Sequence, residues 1–299
     1  PAKAATLGSA RALREILRTV SGQYISHNEE NGQYYLDIKK DIDFDARIHD
    51  RGEAMDDNEL NRYFFDALRQ LLGLSTTTYV SGYNIWPYEL PWMPKQVTRP
   101  GYLFFGLPDE RSTAQPPRDF YIYFMPPFGR PTAGRIDPQP DEVLLALTQL
   151  DADFTDLLRL YAGARALANE SAGYRDTYQD KAISRGGYLA RLTAWLNENL
   201  TARLQVSFEG ETRPLRQVLA GARSTGSQTV DELVKLLAAH LLEPHFAEKY
   251  PQSPAFTTMR APVTEDSRPT AAREAINAIV RGTRTALGAA VLEGLGLLG

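Results

Sequence analysis

The chain has 299 residues, of which 43% are hydrophobic and 23% are charged, a composition typical of a globular protein with a buried core. It contains no cysteine, which excludes disulfide bonds and thiolate metal sites. The net charge of −4 is a poor match for the phosphates of nucleic acid. No apolar run is long enough to span a membrane and no apolar signal core follows Pro1, so we expect a cytoplasmic protein without membrane contacts.

Both ends of the chain indicate a piece of a larger protein. The sequence begins at Pro1 without a methionine, and it ends on the apolar stretch 295–299, which would be stabilised by a partner surface. We therefore expect an interior region of a longer chain.

Residues 1–75 predict a winged-helix-like unit. The spacing of apolar residues predicts a short helix over 10–20. Asn31-Gly32 lies between two β-prone runs, which is a strong signal for a β-hairpin. A mostly helical stretch follows over 47–72. Because winged-helix units end in a helix followed by a hairpin, we interpret the whole segment in this way.

Residues 76–136 form an aromatic-rich β segment. The stretch 76–83 alternates as a half-buried strand does. The runs Tyr102–Phe105 and Phe120–Met125 are nearly all apolar, which is typical of strands that are covered on both faces. A polar loop is expected between them, over 107–118.

Residues 137–228 predict a long-helix region with one short strand. Asp141 is a suitable N-cap, and apolar residues over 147–168 recur at spacings of three and four, so a long helix should pack against a partner helix. That partner is predicted over 185–200, and the run 204–208 predicts a strand.

Residues 229–299 predict a helical region with a second, helix-turn-helix-like end. Thr229 and Glu232 form a capping box, and Pro244 should stop the helix that it starts. Two short helices joined at Gly282 resemble the start of a helix-turn-helix unit. They are predicted over 270–281 and 284–292. The four segments together predict an α+β fold.

Three motifs resemble ligand sites but are incomplete. The loop 221–228 has the glycine spacing of a phosphate loop, yet Ser227 stands where the lysine belongs. Asp41, Asp43 and Asp45 alternate as in a calcium loop that lacks its glycine and its final glutamate. We interpret the first as a flexible loop and the second as an acidic surface, and we expect no cofactor, no metal and no catalytic site.

The histidines and the tryptophan-rich cluster also favour structural roles. His240 and His245 lie five residues apart, which puts them on different faces of a helix and argues against shared zinc binding. Trp86, Tyr88 and Trp92 favour packing, although stacking on bases or on a peptide is the alternative.

Two alternatives involve nucleic acid. Asp37 and Lys39 resemble half of the site of a metal-dependent nuclease, although no second acidic residue is well placed beside them. Arg11, Arg14 and Arg18 lie at helical spacings of three and four, so they are the candidate nucleic-acid contacts of a DNA-binding module. The excess of acids over bases from 29 to 59 argues against DNA at the hairpin.

The stretch Glu30–Asp43 resembles the interior of the large P-loop proteins of bacterial phage resistance, the phage growth limitation Y-type and BREX-type ATPases. Supporting stretches lie at 101–106, 118–124 and 284–298. The resemblance implies a non-catalytic interior region of a phage-defence ATPase whose nucleotide motifs lie elsewhere in the parent protein. It also implies a coupling or partner-binding role. The expected partners are other subunits of the defence system, the remainder of the parent ATPase and, as an alternative, DNA.

Overall fold

The computed structural model describes residues 25–28, 33–36, 42–129, 138–220, 229–282 and 285–297. The chain divides into two compact units, Pro1–Arg47 and Ile48–Gly299. In the first unit, strands β1 (Ile25–Asn28) and β2 (Gln33–Leu36) pair antiparallel, with Asn28 opposite Gln33. The antiparallel pairing predicted for this hairpin is therefore confirmed, whereas its Asn31-Gly32 turn and the helix predicted over 10–20 lie outside the described residues.

The helical stretch predicted over 47–72 is two helices, α1 (Phe44–Glu53) and α2 (Asp57–Leu71). Asp56 separates the two helices because it caps the second one. Its carboxylate accepts a hydrogen bond from the N–H of Glu59, and the Glu59 carboxylate accepts one from the N–H of Asp56. This capping box starts a new helix in the middle of the periodic pattern.

The second unit contains a mixed six-stranded sheet in the order β3-β4-β5-β6-β7-β8. Strands β4, β5 and β6 run parallel, and the pairs β3/β4, β6/β7 and β7/β8 are antiparallel. The sheet draws its strands from both the aromatic segment 76–136 and the region 137–228. The strands are β3 (Ile85–Trp92), β4 (Val97–Phe105), β5 (Tyr121–Phe124), β6 (Glu142–Leu147), β7 (Leu204–Phe208) and β8 (Glu211–Pro214).

The centre of the sheet is covered on both faces, as the continuous apolar runs predicted. All four residues of β5 and the last five residues of β4 are buried. On one face, Tyr102, Phe104, Tyr121 and Tyr123 form a core with Ile85 and Leu144, in which the rings of Phe104 and Tyr123 lie 4.7 Å apart.

The strand predicted over 76–83 is wrong, since that stretch forms turns and the strand begins only at Ile85. Trp86, Tyr88 and Trp92 alternate within β3 and are 4%, 5% and 3% exposed, which confirms the packing interpretation. Two prolines interrupt this pattern of aromatic residues in β3. They are tolerated because β3 is an edge strand, where an N–H can be missing without breaking the sheet.

The helix predicted to start at Asp141 is also wrong. Residues Glu142–Leu147 form the buried strand β6, and the helix α3 (Ala152–Glu170) begins after Asp151, whose carboxylate accepts from the N–H of Phe154. A short run that is buried on both faces has no periodicity that separates strand from helix. Within α3 the fully buried seam passes through Leu158, while Leu157 is only half-buried.

Four of the remaining helices lie where the sequence predicts them, whereas Arg175–Ile183 and Leu215–Leu219 are helices that it does not predict. The capping box of Thr229 and Glu232 is present, but the helix that it starts runs on to Lys249, so Pro244 does not end it. The helices are α4 (Arg175–Ile183), α5 (Tyr188–Arg203), α6 (Leu215–Leu219), α7 (Val230–Lys249), α8 (Arg268–Arg281) and α9 (Ala286–Gly294). Helix α5 packs against α3, as expected. Across the described parts of the chain, no helix combines the length and apolarity needed to cross a bilayer.

Candidate functional site

An open apolar groove of about 530 Å³ lies beside the first residues of β4, between the 253–263 loop and helices α8 and α9. Its wall and floor are mostly aliphatic. They include Val97, Val263, Ala271, Ala275, Val291 and Leu292.

Backbone hydrogen bonds hold the loop against the strand end. The N–H of Thr98 donates to the carbonyl of Val263, and the N–H of Val263 donates to the carbonyl of Gln96, both at 2.9 Å. The Arg268 guanidinium at the start of α8 donates to the Thr98 carbonyl at 3.3 Å. These bonds anchor one wall of the groove to the sheet.

Helices α8 and α9 are joined tightly, as the glycine at the predicted junction required. Gly282 closes α8 with a φ of 67°, a left-handed conformation that favours glycine. The Thr285 hydroxyl caps α9 by accepting from the N–H of Gly288 at 3.1 Å, and it donates to the Glu274 carboxylate of α8 at 2.9 Å. The two helices therefore present one continuous apolar wall.

That wall leaves large aliphatic side chains in solvent. Ile276, Ile279 and Val280 on α8 are 58%, 63% and 74% exposed, and Leu297 after α9 is 63% exposed. Each of these side chains would gain about 1.5–3 kcal/mol by full burial. Exposed apolar patches are often binding surfaces, so this wall is a candidate docking surface.

A network of charged side chains lies at the amino ends of β5 and β6. The Arg111 guanidinium donates to the carboxylates of Asp141 and Glu142 at 2.7–2.8 Å and lies over the Tyr121 ring at 3.8 Å. Burial alone would raise the pKa of Asp141, but the hydrogen bonds and charge of Arg111 outweigh it and lower that pKa. These groups are satisfied by one another, which is typical of a structural network.

Arg99 lines the groove and forms an ion pair with Asp119, which lies just before β5. Its Nη2 lies 2.6 Å from the Asp119 carboxylate, and its guanidinium lies 3.7 Å from the centre of the Tyr250 ring. Burial, and then the hydrogen bond to Asp119, raise the pKa of Tyr250 to about 12. The charge of Arg99 is thus compensated within the protein.

The structure does not test the predicted nucleic-acid and nuclease residues. Arg11, Arg14, Arg18, Asp37, Lys39 and the loop 221–228 all lie outside the described residues. Among the residues that are described, no cluster of three or more histidines and carboxylates could hold a metal ion.

Asp43 and Asp45 of the calcium-loop look-alike and both histidines of α7 are described. Asp43 accepts from the N–H of Ala46 at 2.9 Å, so it caps α1. His240 and His245 both lie on α7, and burial, followed by the nearby charge of Lys249, lowers the pKa of His245.

Comparison with known proteins places the chain in a family. The DUF6079 third domain matches residues 46–250, and the DUF6079 second domain matches residues 7–42. The chain belongs to the DUF6079 family. No curated protein and no solved structure matches it. The DUF6079 third-domain match covers α2 to α7 and the whole six-stranded sheet, and it stops at the C-cap of α7. The groove is therefore formed by this DUF6079 domain together with the loop and the two helices that follow it.

Proposed function

We propose that this chain is a non-catalytic, partner-binding region of a larger phage-defence ATPase in the cytoplasm. The resemblance of Glu30–Asp43 to the P-loop proteins of phage resistance supports the defence role. The exposed aliphatic wall of α8 and α9 is the observation that supports partner binding. Such a region would couple nucleotide-driven changes in the parent protein to another subunit.

The occupant that fits the groove is an amphipathic helix of another subunit, with an apolar face and an acidic flank. Ile276 and Ile279 lie one turn apart on α8 and both line the groove, so the apolar face of a bound helix would pack along them. Arg268, which lines the groove, and Arg273 are both exposed on the same helix. Acidic side chains on the partner would complement them and fix its register.

The test introduces two charges into the wall of the groove. In cells that carry the whole defence system, the double variant Ile276→Asp/Ile279→Asp should lose protection against phage while the protein level stays unchanged. A photo-crosslinking amino acid at position 279 should capture another subunit of that system. The control is Ile183→Asp, which changes an isoleucine that is 44% exposed on α4, away from the groove.

Full protection by the double variant, together with no crosslink to a subunit, would reject the groove as the docking site. A crosslink to the remainder of the parent ATPase would replace the proposed occupant. Binding of duplex DNA at low salt that an Arg11/Arg14/Arg18→Ala variant loses would favour the DNA-binding alternative. Magnesium-dependent cleavage of DNA that is lost in Asp37→Asn would favour the nuclease alternative.

A more detailed proposal concerns the N-terminal hairpin and the two C-terminal helices. We infer that β1 and β2 are the wing of a winged-helix-like unit and that α8 and α9 are a helix-turn-helix-like end. The paired strands and the glycine junction support this interpretation. Both units would then present surfaces to partners, with the six-stranded sheet between them in sequence.

A further inference from the structure

A second pocket, of about 580 Å³, opens at the carboxyl end of β4, between α2, α3 and the turns over 76–84. Its floor is aromatic. Phe105, the last residue of β4, lies 4.7 Å from the Trp86 ring and stacks on Phe65 at 5.4 Å with 20° between the ring planes. Because β4 runs parallel to β5 and β6, the pocket lies where open sheets with parallel strands commonly bind ligands.

Three arginines and one carboxylate line the pocket. Arg62 and Arg69 lie two turns apart on one face of α2, and Arg165 enters from α3. The carboxylate is Asp66, which accepts from Arg69 at 2.9 Å and from the hydroxyl of Tyr161. Its acceptor capacity is thus used within the protein, and the lining keeps an excess of positive charge.

Two of the three guanidinium groups, those of Arg69 and Arg165, act electrostatically on the hydroxyl of Tyr161. Burial, and then the hydrogen bond to Asp66, raise the pKa of Tyr161, while the charges of Arg165 and Arg69 lower it. Arg165 and Arg69 therefore lie within electrostatic range of one phenol, although they come from different helices.

Arg165 has a buried donor for which the described residues provide no partner. Its Nε is buried without a hydrogen-bond acceptor, and within the described residues its side chain forms no ion pair. Arg99 and Arg159 also have a buried Nε without an acceptor, but each pairs with a carboxylate through its Nη atoms. A buried cationic donor without an acceptor is costly, and an anionic ligand in this pocket would supply the missing acceptor.

We propose that this pocket binds a nucleoside phosphate. Arg62 and Arg165 would bind the phosphate, for which the forked guanidinium is suited, and Arg69 would stay with Asp66 as their support. The half-buried rings of Tyr63 and Phe65 provide a surface on which a base stacks. The volume of the pocket is in the range that holds a ligand of this size.

The test is calorimetric titration of the purified chain with AMP, inorganic phosphate and adenosine. AMP should bind more tightly than either of the other two, because only AMP uses both the arginines and the rings. Arg62→Ala and Arg165→Ala should each weaken AMP binding by about tenfold or more, and Arg165→Lys should not restore it fully. Arg216→Ala, at an exposed arginine on α6, should bind as the unaltered chain does.

Thermal unfolding of each variant without ligand establishes that it is folded. Arg62 is exposed, so its variant keeps the test valid even where loss of Arg165 unfolds the chain. The absence of saturable AMP binding, or binding that neither arginine variant weakens, would overturn the proposal. Inorganic phosphate binding as tightly as AMP would overturn the role of the rings. None of these outcomes depends on the apolar groove, so this test and that of partner binding fail independently.

Discussion

Buried charge is concentrated in a few residues of the second unit. Glu142 is completely buried and Asp141 is 7% exposed, and Arg111 is bonded to both carboxylates. A buried ion pair adds little net stability compared with apolar residues of the same size, because both charges lose their hydration. Removal of one partner is different, since it leaves the other charge buried and uncompensated.

Arg111→Leu should therefore lower the free energy of unfolding by about 3–5 kcal/mol at pH 7. In the unaltered chain the pKa of Asp141 is lowered, so its stabilising effect is complete above the ordinary pKa of aspartate and is lost as the pH falls through the lowered value. In the variant, burial without Arg111 should raise that pKa. The difference in stability should therefore start to shrink at the raised pKa of the variant, above about pH 4, and continue to shrink until the pH falls below the lowered pKa of the unaltered chain.

Urea unfolding at a series of pH values measures this effect. Arg216→Leu is the control, because it removes an exposed arginine and should change stability by less than about 0.5 kcal/mol. A loss of stability in Arg111→Leu that stays constant from pH 7 to pH 3 would contradict the explanation based on the carboxylates.

At the scale of elements, α1 and α3 meet at two glycines. A Cβ atom at Gly163 would lie 2.2 Å from the carbonyl oxygen of Ile48, and one at Gly52 would lie 2.4 Å from that of Arg159. Contact this close between backbones is possible only without side chains at both positions. Ion pairs of Arg51 with Glu170 and of Arg159 with Glu53 hold the same two helices together.

Gly163→Ala should destabilise the protein, although alanine favours a helix by about 1 kcal/mol over glycine. The added methyl group would collide with backbone that cannot turn away as a flexible side chain can. We expect a net loss of about 1–3 kcal/mol in chemical unfolding. At Gly186 a Cβ meets nothing within 4 Å, so Gly186→Ala should be neutral or slightly stabilising. Equal effects of the two substitutions would refute the close approach.

At the scale of the whole molecule, residues 48–299 contain their own hydrophobic core. A chain that begins at Asp43 keeps the cap of α1 and every strand of the six-stranded sheet. It should unfold in one cooperative transition, with a midpoint within a few degrees of that of the full chain. Circular dichroism during heating measures this. A broad transition without a defined midpoint would show that the second unit needs the first 42 residues.

The sequence by itself determined those elements whose signals are local. Turn and capping chemistry acts over a few residues, so the pairing of the strands on either side of Asn31-Gly32, the capping box of Thr229 and the junction at Gly282 were predicted correctly. Apolar runs without polar residues likewise marked β5 and the end of β4 as covered on both faces.

Only the tertiary structure decided the features that depend on distant neighbours. The run 142–147 is a strand because it pairs with a neighbouring strand on each side, β5 and β7. Helix α7 continues beyond Pro244 because buried residues before and after the proline stabilise it. The groove and the arginine pocket each combine segments far apart in sequence. No local pattern indicates that Ile279 lacks a covering element or that Arg165 lacks a carboxylate, because burial and pairing are properties of the packed chain.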